Sequence, residues 1–164
     1  MKKVLFCGTA NLDYFIYSKS LPIEGVTIKG NFEQNAGGKG ANQAVACSKL
    51  GNNPFFYTRL SNDMAGKYLY SSLTSNGVKT KAIKTVKNNK SGVALIFVDE
   101  KARNLIGIAP GLNEIMPKKE IKNALNLLKK DDIVVCEMGI PLSAIKEILE
   151  LSKNKKLTTI FNPA

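Results

Sequence analysis

The chain of 164 residues contains no histidine and no tryptophan, and it has only three cysteines. The absence of histidine excludes serine–histidine and cysteine–histidine catalytic pairs and removes the commonest metal ligand. Cys7, Cys47 and Cys136 are widely spaced, and each lies in an apolar stretch. This pattern predicts buried free thiols in a cytoplasmic protein rather than a metal site.

Long apolar runs are missing as well. No run approaches the roughly 20 residues that a membrane-spanning helix needs. The apolar segment after the two N-terminal lysines, Val4–Cys7, is too short for a signal peptide. We therefore expect a cytoplasmic protein with no membrane partner. The 44% hydrophobic content and the length predict a globular core of one domain or a little more.

Negative charge is scarce: 13 acidic residues stand against 24 basic ones, which gives a net charge of +11. Only Arg59 and Arg103 are arginines, and the lysines are spread along the chain. Proteins that read phosphates and bases favour arginine. A solvated lysine surface is therefore the preferred interpretation, and no nucleic-acid partner is expected. A basic nucleic-acid binder is the alternative, which salt-dependent binding to DNA would reveal.

A glycine-rich segment, Ala-Gly-Gly-Lys-Gly-Ala-Asn-Gln-Ala at 36–44, is the most informative feature present. Glycines let the backbone approach a ligand, and the helix predicted behind them offers unpaired N–H groups. It is not a Walker A loop, because Gly40 follows Lys39 where serine or threonine is required. Gly38, Lys39 and Asn42 are candidate contacts for a polar small molecule. The alternative is a tight strand-to-helix turn with Lys39 in solvent.

Short apolar strands alternate with amphipathic helices along the chain. This alternation predicts an α/β fold with a doubly wound, mostly parallel sheet. An antiparallel excursion is expected at Tyr14–Tyr17 and Val26–Phe32. The other predicted strands are Lys3–Cys7, Asn53–Leu60, Thr80–Val86, Val93–Val98, Asn104–Ala109, Ile133–Cys136 and Leu157–Phe161, and helices are predicted at Asn42–Leu50, after Asp63, after Pro117 and after Pro141.

Polar residues follow two of the predicted parallel strands. Asn11 and Asp13 project to the same side of an extended segment, where they could hold two neighbouring sugar hydroxyls; turn chemistry is the alternative. Glu137 ends a later strand at the same sheet edge, where ligands bind in open α/β folds, unless it is merely solvated. The segment Gly92–Val98 could line a pocket, although a core strand is preferred on pattern alone.

Several segments, in order, resemble the ribokinase-like (PfkB) sugar kinases: Asn11 to Asp13, Gly37 to Ala44, Gly92 to Val98 with Ile106 to Asn113, and Asn162 to Ala164. The resemblance covers residues 1–164 as the N-terminal part of such a domain. It implies a three-layer α/β/α fold with a small β-lid from strands near 14–34 and 91–109. It also implies sugar contacts at Asn11, Asp13, Gly38, Lys39, Asn42, Ala94 and Ile96.

The resemblance implies an activity for a full-length parent enzyme. Ribokinases transfer the γ-phosphate of ATP, with Mg²⁺ and a monovalent cation such as K⁺, to the 5-hydroxyl of D-ribose. A homodimer through the lid is expected by the same analogy. The family's catalytic aspartate and nucleotide site lie beyond the residue that matches Ala164. We therefore expect no catalytic residue, no bound cofactor and no activity in this chain alone.

One departure from the family concerns the sugar. Ribokinases usually place a glutamate two residues before the proline that matches Pro141, whereas this chain has Gly139 there. Glu137 lies two residues earlier on the same side of the strand and is included as a candidate sugar contact. The departure keeps two alternatives open: a kinase for another sugar or a nucleoside, and a non-catalytic sugar-binding or dimerising fragment.

Overall fold

Ten strands and four helices make up the computed structural model, which describes residues 2–163. Of the Asn-Pro-Ala segment, Ala164 therefore lies outside the described residues. In chain order the elements are β1 (Val4–Cys7), β2 (Asn11–Ser18), β3 (Gly30–Gly37), α1 (Lys39–Lys49), β4 (Phe55–Tyr57), β5 (Arg59–Ser61), α2 (Met64–Ser75), β6 (Lys84–Val86), β7 (Gly92–Asp99), β8 (Asn104–Ala109), α3 (Lys118–Leu125), β9 (Ile133–Glu137), α4 (Leu142–Asn154) and β10 (Thr158–Asn162).

The central sheet has four strands in the order β10-β9-β1-β4, and every neighbouring pair is parallel. The register sets Leu5 opposite Val134 and Cys7 opposite Cys136. Because successive side chains of a strand point to opposite faces, Leu5 and Cys7 face one side of the sheet and Phe6 faces the other. The predicted parallel sheet is thus confirmed.

Helices cover both faces of this sheet. On the side of Leu5, α3 and α4 contribute Ile121 and Ile148 to one buried cluster. On the side of Phe6, α1 and α2 contribute Ala44 and Leu69 to a second cluster. Both clusters are built from apolar residues at helical spacing, which bury one stripe of each helix against the strands. The predicted three-layer α/β/α arrangement is confirmed.

A second sheet has the order β3-β2-β7-β8. β2 pairs antiparallel with β3 and parallel with β7, and β7 pairs antiparallel with β8. The antiparallel excursion is confirmed, but β3 extends to Gly37, further than the expected Val26–Phe32. Its residues 31–35 are all exposed and, apart from Phe32, polar, as suits an edge strand whose faces meet solvent. Hydrophobic alternation alone could not locate such a strand.

The strand expected at Thr80–Val86 is wrong in its first half. Thr80–Ala82 forms a 3-10 turn, closed by the Ile83 N–H donating to Thr80 O, because Ala82 is drawn into the core. Only β6 is extended, and it pairs parallel with β5. The expected strand at Asn53–Leu60 is likewise divided at Thr58 into β4 and β5.

Among the described residues, no helix is long and apolar enough to cross a membrane. The three cysteines are free, as predicted. Cys7 and Cys136 are buried, whereas Cys47 is only partly buried on α1.

Candidate functional site

A cavity of about 280 Å³ lies between the carboxyl edge of the central sheet and the second sheet. The chain passes from β1 to β2 through only three residues, so the two sheets meet directly at this edge. Seven of the eight predicted site residues line it: Asn11, Asp13, Gly38, Lys39, Asn42, Ala94 and Ile96. Thr9, Asn113 and Gly139 also line it, together with apolar residues of β8.

Asn113 is a polar residue of the cavity that the sequence did not identify. It is buried in the 3-10 turn Gly111–Glu114. Its Oδ1 accepts from the Ala10 N–H at 3.0 Å, and its Nδ2 donates to Ala10 O at 3.2 Å and to Asn11 Oδ1 at 2.8 Å. Because the oxygen of Asn11 is engaged in this way, its Nδ2 is the atom available to a ligand. In the sequence, Asn113 is named only as the end of the segment Ile106 to Asn113 that resembles the sugar kinases, with no role of its own.

Asp13 supplies a carboxylate to the cavity. Burial raises its pKa from 3.8 to about 6, and no hydrogen bond to its side chain is found among residues 2–163. A Cβ at Gly37, on the neighbouring β3, would overlap Asp13 Oδ2, so glycine there leaves room for the carboxylate. A half-buried carboxylate without a protein donor is suited to hydroxyl groups of a ligand, which would stabilise its ionised form.

The glycine loop connects β3 to α1, and hydrogen bonds hold the start of α1 against the segment that follows β1. Gly38 has φ +93°, a conformation that favours glycine, and it directly precedes the helix. The Lys39 N–H donates to Thr9 Oγ1 at 3.1 Å, and the Ala41 N–H donates to Thr9 O at 3.0 Å. Thr9 therefore fixes the first turn of α1, which brings the exposed Lys39 and Asn42 to the cavity.

The start of α1 packs against the end of β1 so closely that a side chain at either contact position, Gly8 or Gly40, would clash with the other. A Cβ at Gly40 would lie 2.6 Å from Gly8 Cα, and a Cβ at Gly8 would lie 2.8 Å from Gly40 Cα. Both residues are buried. This backbone contact sets the distance between the helix N-terminus and the sheet edge.

The opposite wall of the cavity is apolar. Ala94 and Ile96 of β7 pair in register with Ile108 and Ile106 of β8. Ala94 is buried, whereas Ile106 is 50% and Ile108 60% exposed, so this wall opens to solvent along β8. The cavity therefore has one polar side, suited to hydroxyl groups, and one apolar side, suited to carbon.

Glu137 does not line the cavity. Its side chain is fully buried beneath the floor, where Oε1 accepts from the Thr9 N–H at 2.7 Å and Oε2 accepts from the Gly139 N–H. Gly139, two residues on, reaches the cavity surface. Both carboxylate oxygens accept hydrogen bonds from backbone N–H groups. Glu137 thus lies beneath the residues that line the cavity, unlike the other seven candidates.

A shallower cavity of about 400 Å³ lies at the far end of the second sheet, near Tyr17 and Lys29. The Asp99 carboxylate at this end is engaged by Arg103, whose Nη2 lies 2.6 Å from Asp99 Oδ2. This cavity is lined by none of the candidate residues, and its buried carboxylate, unlike that of Asp13, is already paired within the protein. The cavity at the sheet edge is therefore the candidate site.

Comparison with known sequences identifies relatives over the whole chain. The profile described as pfkB family carbohydrate kinase matches residues 1–164. Deoxyribokinase of Salmonella typhi is 32% identical over 158 residues, which are 96% of this chain and 52% of that protein. Ribokinase of Bacillus subtilis is 32% identical over 165 residues, 100% of this chain and 56% of that protein. The chain thus spans about half the length of the curated relatives it matches.

Solved structures give the same result. Ribokinase from Giardia lamblia superposes with a TM-score of 0.88 at 30% identity, over 99% of this chain and 51% of that one. Arabidopsis thaliana ribokinase, complexed with ribose and ATP, superposes with a TM-score of 0.82 at 29% identity, over 98% and 53%. These similarities confirm the predicted ribokinase-like fold. The chain belongs to the pfkB family of carbohydrate kinases.

Proposed function

We propose that this chain forms the sugar-binding half of a kinase that transfers the γ-phosphate of ATP to the 5-hydroxyl of D-ribose. The observation that carries the proposal is the cavity in which Asn11 and Asp13 face the N-terminus of α1. Family membership and ribokinase relatives support the reaction class. A volume of about 280 Å³ is at the small end for ligand sites and suits a monosaccharide.

The polar side of the cavity would bind the sugar hydroxyls. Asp13 accepts hydrogen bonds from two hydroxyls, and Asn11 Nδ2 donates to an oxygen. Lys39 and Asn42 add donors from the start of α1, and Gly38 allows the backbone to approach the ring. Ala94 and Ile96 contact the carbon face of the sugar. Each contact uses an atom that the protein itself leaves available.

The second sheet would act as a lid over the bound sugar. Its strands β7 and β8 carry the apolar wall, and β8 is exposed along its whole length. Closure of such a wall excludes water from phosphoryl transfer. The exposed apolar side chains of this sheet would also form a homodimer interface, as expected from the family resemblance.

ATP, Mg²⁺ and K⁺ belong to the proposed reaction of the whole enzyme. Residues 2–163 contain no group of three or more cysteine, aspartate or glutamate side chains that could hold a metal ion. No step of phosphoryl transfer is assigned to these residues. The role proposed for this half is to bind and orient the sugar.

A second candidate substrate is 2-deoxy-D-ribose. Gly139 gives the cavity floor a bare backbone surface where a side chain could otherwise contact a hydroxyl. Deoxyribokinase of Salmonella typhimurium is also 32% identical to this chain. A sugar that lacks one hydroxyl loses little affinity if no protein group at that place needs the hydroxyl as a hydrogen-bond partner.

Calorimetric titration with D-ribose, 2-deoxy-D-ribose and adenosine tests the proposal. We expect saturable ribose binding by the chain and a loss of about tenfold or more in Asp13→Asn, because a hydrogen bond to a charged group is lost. The matched control is Asp131→Asn, an exposed carboxylate, which should leave the affinity unchanged. Tighter binding of adenosine would favour a nucleoside kinase. Absence of binding to all three ligands would refute the sugar-binding role.

Steady-state assays separate binding from catalysis. We expect no ADP formation by the purified chain with ATP and ribose, because the catalytic groups of the family lie outside it. Sustained ribose-dependent ADP formation would show that the chain is an enzyme by itself and would overturn this part of the proposal.

A further inference from the structure

Two buried carboxylates bridge β1 and β9, one at each end of the strand pair. At the end remote from the cavity, Asp132 Oδ1 accepts from the Lys3 N–H and Oδ2 accepts from the Lys129 N–H, both at 2.9 Å. Asp132 is 1% exposed. This bridge joins the beginnings of the two strands and touches no residue of the cavity.

Glu137 forms the corresponding bridge at the cavity end. One oxygen accepts from the Thr9 N–H at the end of β1, and the other accepts from the Gly139 N–H at the end of β9. Thr9 and Gly139 both line the cavity. A single buried side chain therefore joins two parts of the cavity surface without reaching the surface itself.

Thr9 extends this bridge to the helix. Its hydroxyl oxygen accepts from the Lys39 N–H at 3.1 Å, and its carbonyl oxygen accepts from the Ala41 N–H at 3.0 Å. A continuous set of hydrogen bonds thus runs from Glu137 through Thr9 to the first turn of α1. The position of that turn decides where Lys39 and Asn42 lie in the cavity.

The carboxylate has little freedom to move. A Cβ at Gly8 would lie 3.0 Å from Oε1, and a Cβ at Gly139 would lie 2.8 Å from Oε2. Backbone therefore packs directly on both oxygens. A buried group that is hydrogen-bonded at every acceptor and packed on both sides holds its neighbours in one arrangement.

We infer that Glu137 is a positioning residue: it fixes the end of β1, and through Thr9 the start of α1, so that the cavity is formed before a sugar binds. It contacts no sugar in this role, which replaces the direct contact expected from the sequence; the role rests on the sugar-binding function proposed above. Preorganisation of this kind raises affinity because less conformational freedom is lost on binding.

Glu137→Gln tests the role with almost no change of volume. The substitution replaces one acceptor by an amide donor, which then faces a backbone N–H. We expect the Kd for D-ribose to rise about tenfold or more, because a buried donor is left unpaired beside the cavity. We also expect hydrogen exchange at the Lys39 and Ala41 amides to accelerate relative to the Val134 amide in the central sheet.

Asp132→Asn is the matched control, because it removes one acceptor from the same kind of bridge at the other strand end. It should lower the urea midpoint while leaving the ribose Kd within about twofold of wild type. Exchange at Lys39 and Ala41 relative to Val134 should stay unchanged. A merely structural Glu137 would give the same pattern as Asp132.

The inference is overturned if Glu137→Gln and Asp132→Asn change the ribose Kd equally, or if the relative exchange at Lys39 and Ala41 stays at its wild-type value. If the wild-type chain binds no ribose, the proposed function fails, and the exchange measurement alone decides the positioning role.

If Glu137→Gln does not fold, Thr9→Val and Thr9→Ser replace it. If the Lys39 amide exchanges faster in Thr9→Val but not in Thr9→Ser, the hydrogen bonds through Thr9 position α1. Equal exchange in the two variants refutes this role.

Discussion

The side-chain nitrogen of Asn113 donates to the side-chain oxygen of Asn11 over 2.8 Å, although 102 positions separate the two residues. The same Asn113 pairs with both backbone groups of Ala10. The orientation of the Asn11 amide is therefore fixed by the protein, with its nitrogen presented to the cavity. A ligand meets a donor that is already in place.

Asn113→Asp should destabilise the fold by about 2 kcal/mol, because an oxygen would replace the nitrogen that faces Ala10 O and Asn11 Oδ1. The buried acceptors would then be left unpaired and would repel the new oxygen. Urea denaturation followed by circular dichroism measures the change. Asn123→Asp, an exposed position on α3, is the control and should shift stability by less than about 0.5 kcal/mol. Equal midpoints for the two variants would contradict the role of Asn113.

Gly40→Ala should destabilise the protein by about 2 kcal/mol and weaken sugar binding, since its Cβ would lie 2.6 Å from Gly8 Cα and force α1 away from β1. In an ordinary helix the same change would be stabilising. Gly107→Ala is the matched control, because no atom lies within 4 Å of its Cβ position. Thermal unfolding of both variants checks the prediction, which a higher melting temperature for Gly40→Ala would refute.

The fold was largely predictable because its signals are local. Val4–Cys7 and Ile133–Glu137 are apolar runs closed by polar or glycine residues, and parallel strands place their carboxyl ends at one edge. That geometry brings Asn11, Asp13 and the glycine loop into one cavity without further information. Strand β3 was misplaced because its exposed residues carry no hydrophobic alternation.

The supporting residues of the site could not be predicted in the same way. Asn113 and Glu137 act on backbone groups more than 100 positions away, and no local pattern encodes such a partner. Glu137 was identified as a candidate from its place at a strand end, but its depth beneath the floor depends on how closely Gly8 and Gly139 pack on it. Only tertiary structure supplies that distance.

Ribose affinity should depend on pH through Asp13, whose pKa burial raises to about 6. The ionised form is the stronger acceptor for hydroxyls, so affinity should be nearly constant from pH 7 to 8 and should fall as the pH drops below about 7. At pH 5 about a tenth of the free protein carries the ionised group, which predicts a rise of about tenfold in Kd. Titrations across this range test it, with Asp13→Asn expected to give a flat profile. A flat profile in the wild type would exclude Asp13 as the titrating contact.

Asp13→Asn should also stabilise the unliganded fold at pH 7. Because the folded protein raises the pKa of Asp13 above its unfolded value of 3.8, the folded state binds the proton more tightly and loses stability as the pH rises from about 4 to 6. A neutral amide removes this penalty, by about 1 kcal/mol after allowance for solvent screening of a half-buried group. Urea midpoints at pH 7 and pH 3.5 measure it. The gain should vanish at the lower pH, and a loss at pH 7 would contradict the prediction.

Thiol reagents should distinguish the three cysteines. Burial raises the pKa of Cys136 to about 11, and burial raises the pKa of Cys7 further still. Cys47 is partly exposed and should be the first thiol to react in the native protein, although burial raises its pKa as well. Titration with a chromogenic disulfide should give one reactive thiol when native and three in urea. Cys47→Ser should abolish the native signal; a persistent signal would show that the core opens.

The bridge between Thr9 and Glu137 has a consequence for the order of folding during synthesis. β1 pairs with β4 through Leu5 and Phe55, so these strands can meet once residues 1–57 have left the ribosome. The partner of β1 on its other side, β9, is translated much later, and Glu137 follows at its end. Until then the Thr9 N–H lacks its Glu137 acceptor. The cavity is therefore completed only after Glu137 has been translated, when the segments of α1 and α2 have already been synthesised.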